Sequence, residues 1–514
     1  MSRTFVVGLD GASWELLEPW IEADELPNLE SIRKDGSWAT NRSCLPPVTF
    51  PNWKCYSSGK NPGKFGVFWF EHIDLEREQI DVMNGSSFDT AELWDYLNAD
   101  GYSAGVVNMP TMYPPREIDE MIVCGGPDAV SGEYRSIESG YTYPSELADD
   151  LESRYDYRVH PEPLLSSNQE RGEEVEEILD LLDLRLQVAI DALEERELDF
   201  VHVTLFYLNV LHHFFWNEEP TKRAWKIVDE WLGRIDELPD TNLVIMSDHG
   251  CDATTTEFYI NEWLAENGYL QKTRTIEDYF QRFGLTRENV LDLAKRANLV
   301  DVLSRTVPEH IQKLVPQSAG VKRERKLDKI DVNHTKAVAS GQGPIYLNPE
   351  FNTELVREKL VADLENVTDE NGNPLFTNVY HGEDVYSGRY VQKGPEIVLD
   401  QRPGVHVNDG LGGGEIQTKP DRWAAENTPT GIFAAKGPDF EPCGGLGEID
   451  IVDIAPTVLS VFDVPRPTDI DGEVLPIFET QPEERTQEPI RRAEASGVAD
   501  EDVADRLKQL GYME

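Results

Sequence analysis

Two largely apolar runs, far apart in the chain, end at acidic loops. Thr4–Leu9 closes on Asp10-Gly11, and Asn242–Met246 closes just before Asp248-His249-Gly250. A short apolar run bounded by turn residues is the pattern of a parallel strand covered on both faces. Helical periodicity alternates with further strand patterns around these runs. Pro27–Lys34 reads as a helix with its proline in the first turn. Ala91–Ala99 (helix) precedes Ser103–Val107 (strand), and Phe200–Leu205 (strand) precedes Thr221–Arg234 (helix). Over Glu173–Glu195, residues Val175, Ile178, Leu179, Leu182 and Leu186 fall on one face of an amphipathic helix. Such alternation predicts an α/β fold: a mainly parallel central sheet with helices on both faces. Ligands of such sheets bind beyond the carboxyl ends of the strands.

The pattern changes near residue 269. Ile276–Phe283, Arg287–Ala297 and Val302–Val315 read as short helices without strands between them, and basic residues cluster over Lys322–Lys329. Strand patterns resume at Lys336–Ala339, Pro344–Leu347, Glu396–Leu399 and Gly431–Ala435. The expected organisation is an α/β core over 1–268 and 332–480, an inserted helical cap over 269–331, and a polar linker with a final helix (Val498–Leu510) over 481–514. No apolar run approaches the length of a membrane span. Acidic residues number 96 against 47 basic ones, a net charge of -49 spread along the chain. That diffuse excess suits a solvated surface in high salt and leaves no basic face for duplex nucleic acid. Five scattered cysteines without a CxxC read as reduced, mostly buried thiols, and the N-terminus opens on a strand pattern. A cytoplasmic, salt-adapted protein is expected.

Four places carry chemistry. Asp10 closes the first strand. Thr49 lies in the Pro-rich stretch CLPPVTFPNW (Cys44–Trp53), read as a loop that fixes its hydroxyl. Asn209 and His213 share a helical spacing after Phe200–Leu205, and Asp248-His249 follows the second apolar run. An oxygen-rich set with two histidines suits Zn²⁺ or Mn²⁺. The glycines at Gly410–Gly414 lack a following helix and a Lys-Ser/Thr, and read as a surface loop.

The ordered series VVGLDG, PPVTFPNW with SSGKNPGKFGV, NVLHHFFW, VIMSDHG and TGIFAAKGP resembles the motif series of the type I phosphodiesterase/nucleotide pyrophosphatase family, in the alkaline phosphatase superfamily. IDIVDIAPTVLSVFDVPRPTDIDGEVL and VADRLKQLGY resemble its C-terminal motifs. The resemblance implies an alkaline phosphatase-like fold, a phosphorylated small-molecule substrate and a two-metal phosphoryl-transfer site. Asp10, Thr49, Asp248 and His249 match the family's first metal site, with Thr49 as nucleophile. At the second, His213 is kept, but Asn209 stands where the family has Asp and Asn427 where it has a late His. Asn offers a carbonyl oxygen without charge, which implies a weak or absent second metal. Several readings stay open. The first is a one-metal hydrolase of phosphoric diester or pyrophosphate bonds, its missing charge supplied by the cap or by Lys54 and Lys60. An enzyme using Mg²⁺ or Mn²⁺ through the Asn oxygens is another. The chain also suits an impaired member that binds a phosphorylated ligand or partner, or a phosphoryl transferase or phosphomutase. His406 and His381 are candidate substitute ligands, and His212 reads as structural.

Overall fold

The computed structural model describes residues 2–129, 139–161, 172–273, 326–420 and 423–492. The helices expected between 276 and 315, and Val498–Leu510, lie outside these residues. The central sheet has nine strands in the order Gly444–Asp450, Ser37–Arg42, Thr430–Lys436, Thr241–Met246, Arg3–Gly8, Phe200–Thr204, Ala104–Val107, Glu120–Val123, Thr142–Tyr143. Arg3–Gly8 runs parallel to both of its neighbours, and the register sets Gly8 beside Thr204 on one side and Met246 on the other. Thr430–Lys436 is antiparallel to both of its neighbours. The mainly parallel α/β sheet read from the sequence is therefore present.

The central strands are largely apolar because both of their faces are covered. Phe5, Val6 and Val7 are fully buried, as are Phe200, Val201 and Val203. The helix Gly172–Glu195 packs on Phe200–Thr204 and on the helix Glu219–Asp236, burying Val175, Ile178, Leu179, Leu182 and Leu186. A second group of helices, Thr49–Ser58, Leu93–Ala99 and Ile454–Val461, packs together as well. The Pro-rich stretch is not a loop as far as Trp53. An α-helix begins at Thr49, with Pro51 tolerated in its first turn, where no intrahelical N–H bond is needed.

The strands at Ala337–Ala339, Pro344–Leu347 and Ile397–Gln401 join Phe376–His381 in a separate four-stranded antiparallel sheet. It has its own core, including Phe258, Leu264, Ile345, Leu360, Leu375 and Leu399. Each such side chain contributes about 1.5–3 kcal/mol on burial. Lys326, from the basic cluster, is not a solvated charge: it is pinned between Glu71 and Asp409. Thr486-Gln487, in the expected polar linker, pairs with Arg466-Pro467. Among the described residues, no helix is long and apolar enough to cross a membrane.

Candidate active site

Strand order brings the four places together. Asp10 follows Arg3–Gly8 and Asp248 follows Thr241–Met246, so two neighbouring parallel strands deliver two carboxyls to one edge. Phe200–Thr204 flanks the first strand on its other side and feeds the helix Phe206–Phe215, which carries Asn209 and His213. Gly250–Ala253 pairs antiparallel with Ala425–Thr428, which sets Asn427 opposite Cys251, close after His249. Thr49 arrives from the end of Ser37–Arg42 as the first residue of its helix.

Asp10, Asp248, His249 and Thr49 are fully buried, and the first three are grouped closely enough to hold a metal ion. His249 Nδ1 lies 2.8 Å from the Gly250 carbonyl oxygen. A carbonyl only accepts, so Nδ1 carries the hydrogen and Nε2 presents a lone pair. That nitrogen lies 3.2 Å from Asp248 Oδ2 and 3.7 Å from Asp10 Oδ1. Thr49 Oγ1 is 3.5 Å away from it. Asp10 Oδ1 and Asp248 Oδ2 are buried without a hydrogen-bond partner. Burial pushes the Asp10 carboxyl up to about 8, against the Trp53 hydrogen bond that favours its ionised form. Burial and the adjacent Asp10 hold Asp248 well above the carboxylate range, and burial lowers His249 to about 3. Two carboxyls and a neutral imidazole thus converge with lone pairs facing one another. A divalent cation is the partner such a donor set fits.

Supporting contacts fix these donors. Trp53 Nε1 donates to Asp10 Oδ2 at 2.9 Å, and the Gly11 N–H donates to Asp248 Oδ1 at 3.2 Å. Gly11 has a left-handed φ of +69°, and a Cβ there would meet Asn209 Oδ1 at 2.1 Å, so the position admits only glycine. Asn52 ties down the approach to Thr49: its Nδ2 donates to the carbonyls of Cys44, Pro46 and Val48 at 3.1, 3.0 and 3.0 Å.

The other half of the site is built from neutral side chains. Asn209 Nδ2 donates to Asn427 Oδ1 at 3.4 Å, so the two substituted positions do come together. His213 Nδ1 faces the Ala425 carbonyl at 2.8 Å, and its ring stacks on Trp423 with centroids 4.1 Å apart. Burial lowers His213 to about 4. His212 is structural: its Nε2 accepts from Trp225 Nε1 at 3.1 Å.

Three expectations need correction. Lys54 is buried against Glu92 at 2.6 Å, and Lys60 binds Asp469 at 2.6 Å, so neither is a spare positive charge. His406 has its Nδ1 committed to Glu426, and His381 ends a strand of the separate antiparallel sheet. Trp53, Asn52 and Glu426 were not singled out from the sequence. Trp53 and Asn52 do lie inside the PVTFPNW motif, whereas Glu426 beside Asn427 carries no motif signal.

The sequence profile of the family described as Type I phosphodiesterase / nucleotide pyrophosphatase matches residues 4–423. No curated protein matches the chain. Among solved structures, phosphonoacetate hydrolase from Sinorhizobium meliloti in complex with phosphonoformate superposes with a TM-score of 0.55. Identity is 14%, covering 84% of this chain and 90% of that one. Murine ectonucleotide pyrophosphatase / phosphodiesterase 5, as an inactive variant in complex with AMP, gives a TM-score of 0.50 at 12% identity, covering 92% and 98%. At these identities the neighbours speak for the fold, while the profile spans most of the chain: the protein belongs to the type I phosphodiesterase / nucleotide pyrophosphatase family of hydrolases.

Proposed function

We propose that the protein hydrolyses phosphoric diester or pyrophosphate bonds of a small phosphorylated substrate, with Thr49 as nucleophile and one Zn²⁺ or Mn²⁺ held by Asp10, Asp248, His249 and Thr49. The observation that carries this reading is the meeting of unpartnered Asp10 Oδ1 and Asp248 Oδ2 with His249 Nε2, beside the Thr49 hydroxyl. Such an ion supplies Lewis-acid stabilisation of charge on oxygen. The protein's own groups do the rest. Trp53 and Gly11 orient the two carboxylates, and Asn52 holds the segment that presents Thr49. The first-turn N–H groups of the Thr49 helix have no intrahelical acceptor and favour an anion. Thr49 Oγ1 attacks phosphorus as the leaving oxygen departs, and water then releases the phosphoryl group and restores the hydroxyl. The diffuse acidity belongs with the same proposal, as the surface of a salt-adapted cytoplasmic enzyme.

Thr49→Ala tests this directly. Hydrolysis of bis-p-nitrophenyl phosphate is expected to disappear while circular dichroism and melting stay as in the parent; undiminished hydrolysis overturns the assignment.

The Asn209–Asn427 hydrogen bond favours a second reading, an impaired member that binds a phosphorylated ligand with little turnover. Elemental analysis of protein purified in high salt without chelator separates the two. One tightly held ion, lost in Asp248→Ala, supports one-metal hydrolysis, whereas no ion after reconstitution with Zn²⁺ or Mn²⁺ supports the binding protein.

A further inference from the structure

The helix that carries Thr49 is tied to a carboxylate outside the site. Glu92, the N-cap residue of the helix Leu93–Ala99, is fully buried. Its Oε1 accepts from Lys54 Nζ at 2.6 Å and from Ser57 Oγ at 3.0 Å, both on the helix Thr49–Ser58. Its Oε2 accepts from Arg116 Nη2 at 2.8 Å, and Arg116 also donates to Asp95 Oδ2 at 2.9 Å. Burial raises the Glu92 carboxyl, but Lys54, Arg116 and Arg492 outweigh it and hold it well below the usual range, so the network is ionic.

Arg492 reaches the same carboxylate from the stretch read as a polar linker. Thr486-Gln487 pairs with Arg466-Pro467, Gln487 Nε2 donates to the Pro465 carbonyl at 2.7 Å, and Ile490 packs on the main core. Arg492 Nη1 then donates to the carbonyls of Gly85 and Phe88 at 2.9 Å each, and its Nε lies 3.9 Å from Glu92 Oε2. Lys54 Nζ lies 4.8 Å over the Phe88 ring. Upstream of this strap, the Asp471 N–H donates at 2.8 Å to the carbonyl of Gly59, the C-cap of the Thr49 helix. Two segments late in the chain thus grip this helix, one along its side and one at its end.

We propose that Glu92 and Arg492 are positioning residues for the hydrolysis: the strap, through Arg492 and Glu92, holds the Thr49 helix where its hydroxyl faces the metal donors. The helix has ten residues and spans ~15 Å, so a tie at Lys54 and Ser57 is felt at Thr49. In-line attack on phosphorus tolerates little displacement, a shift of ~1 Å costing ~100-fold in rate. Without Arg492, Lys54 and Arg116 still face Glu92 and Asp95, so no buried carboxylate is orphaned. Arg492 is therefore the place where the anchor can be loosened without breaking the network. The effect on rate rests on Thr49 being the nucleophile; the anchoring of its helix does not.

The full-length, metal-loaded Arg492→Met protein is compared with the parent well below the melting transition. Steady-state hydrolysis of bis-p-nitrophenyl phosphate, elemental analysis and hydrogen exchange of peptides are followed together. The expected result is a kcat about tenfold lower, part of the ~100-fold cost of a ~1 Å misplacement, with KM and metal content unchanged. Amides of Thr49–Ser58 should exchange faster, while those of the helix Gly172–Glu195 keep the parental rate. Arg492→Lys, which keeps a charge beside Glu92, should recover part of both changes; no recovery overturns the role of that charge. Ser57→Ala removes a neutral donor from Glu92 and serves if Arg492→Met fails to fold, with smaller changes in the same direction expected. Unchanged kcat, or a loss traced to KM or to metal, overturns the positioning role. Faster exchange in both helices marks general loosening and overturns it as well. If the parent itself shows no hydrolysis, the assignment of Thr49 fails, and exchange over Thr49–Ser58 alone decides whether the strap anchors the helix.

Discussion

The two halves of the site hang from neighbouring elements and differ in charge. Asp10, Asp248 and His249 crowd lone pairs together, with two carboxylate oxygens left unpartnered. Asn209 and Asn427 hydrogen-bond each other, and His213 is stacked on Trp423. The first half gathers carboxyls and an imidazole nitrogen; the second holds neutral side chains, with Asn209 Oδ1 and Asn427 Nδ2 likewise buried without a hydrogen-bond partner. Under the proposed function, the carboxyl half trades stability of the empty fold for metal binding, whereas the neutral half has no charge to offer an ion.

The sharpest way to break this comparison is Asp248→Asn. The amide keeps an acceptor for the Gly11 N–H but cannot ionise to meet a cation. Metal retention and hydrolysis are expected to fall by more than ~100-fold, beyond the 10–100-fold typical of outer-sphere partners. The melting temperature of chelator-treated protein should rise, because a buried, unpaired carboxyl has gone. A fall in the chelator-treated melting temperature would show that the first half is not strained when empty.

The converse change is Asn209→Asp with Asn427→His, which gives the second half the charge and imidazole it lacks. Elemental analysis is expected to move from one divalent ion per chain to two, with the chelator-treated form less stable than the parent. An unchanged count would mean that closing contacts, rather than ligand chemistry, keep a second ion out.

A smaller effect is expected from Trp53→Phe, which removes the 2.9 Å bond to Asp10 Oδ2 and part of a buried ring packed against Tyr56 and His202. Metal affinity measured by competition with a chromogenic chelator should weaken by ~10–100-fold. An equal loss of metal in Asn52→Ala would argue instead that any disturbance of this helix is felt at the site.

Much of this arrangement was legible before any coordinates. The strands before Asp10 and Asp248 are largely apolar runs, and the motif series named the residues that converge beyond them. What could not be read depends on distant partners. Ser37–Arg42 has an alternating, partly polar pattern and becomes a strand because Thr430–Lys436 and Gly444–Asp450 flank it. The prolines around Thr49 suggested a loop, yet Pro51 falls where a helix tolerates it. Trp53 acquires its role from a carboxylate 43 residues away, and Lys54 loses its expected one to Glu92. Local patterns thus mark where strands end; which charges are already neutralised there is a property of the whole fold.

The smallest expected effect comes from the neutral half. Trp423→Leu deletes the stack on His213, with a centroid separation of 4.1 Å and an interplanar angle of 29°, together with ring contacts to Phe214 and His406. Such a pair is worth about 0.5–1.5 kcal/mol beyond area burial. His213 keeps its bond to the Ala425 carbonyl, and no group of the charged half is touched. Denaturant titration should therefore show a loss of about 1 kcal/mol, the same with chelator and with metal, while metal content stays unchanged. That outcome is opposite in sign to Asp248→Asn in the chelator-treated state and independent of metal, as expected if packing alone closes this side. A loss of bound metal in Trp423→Leu would instead make His213 part of the ion-binding half, and the division between the two halves would have to be redrawn around it.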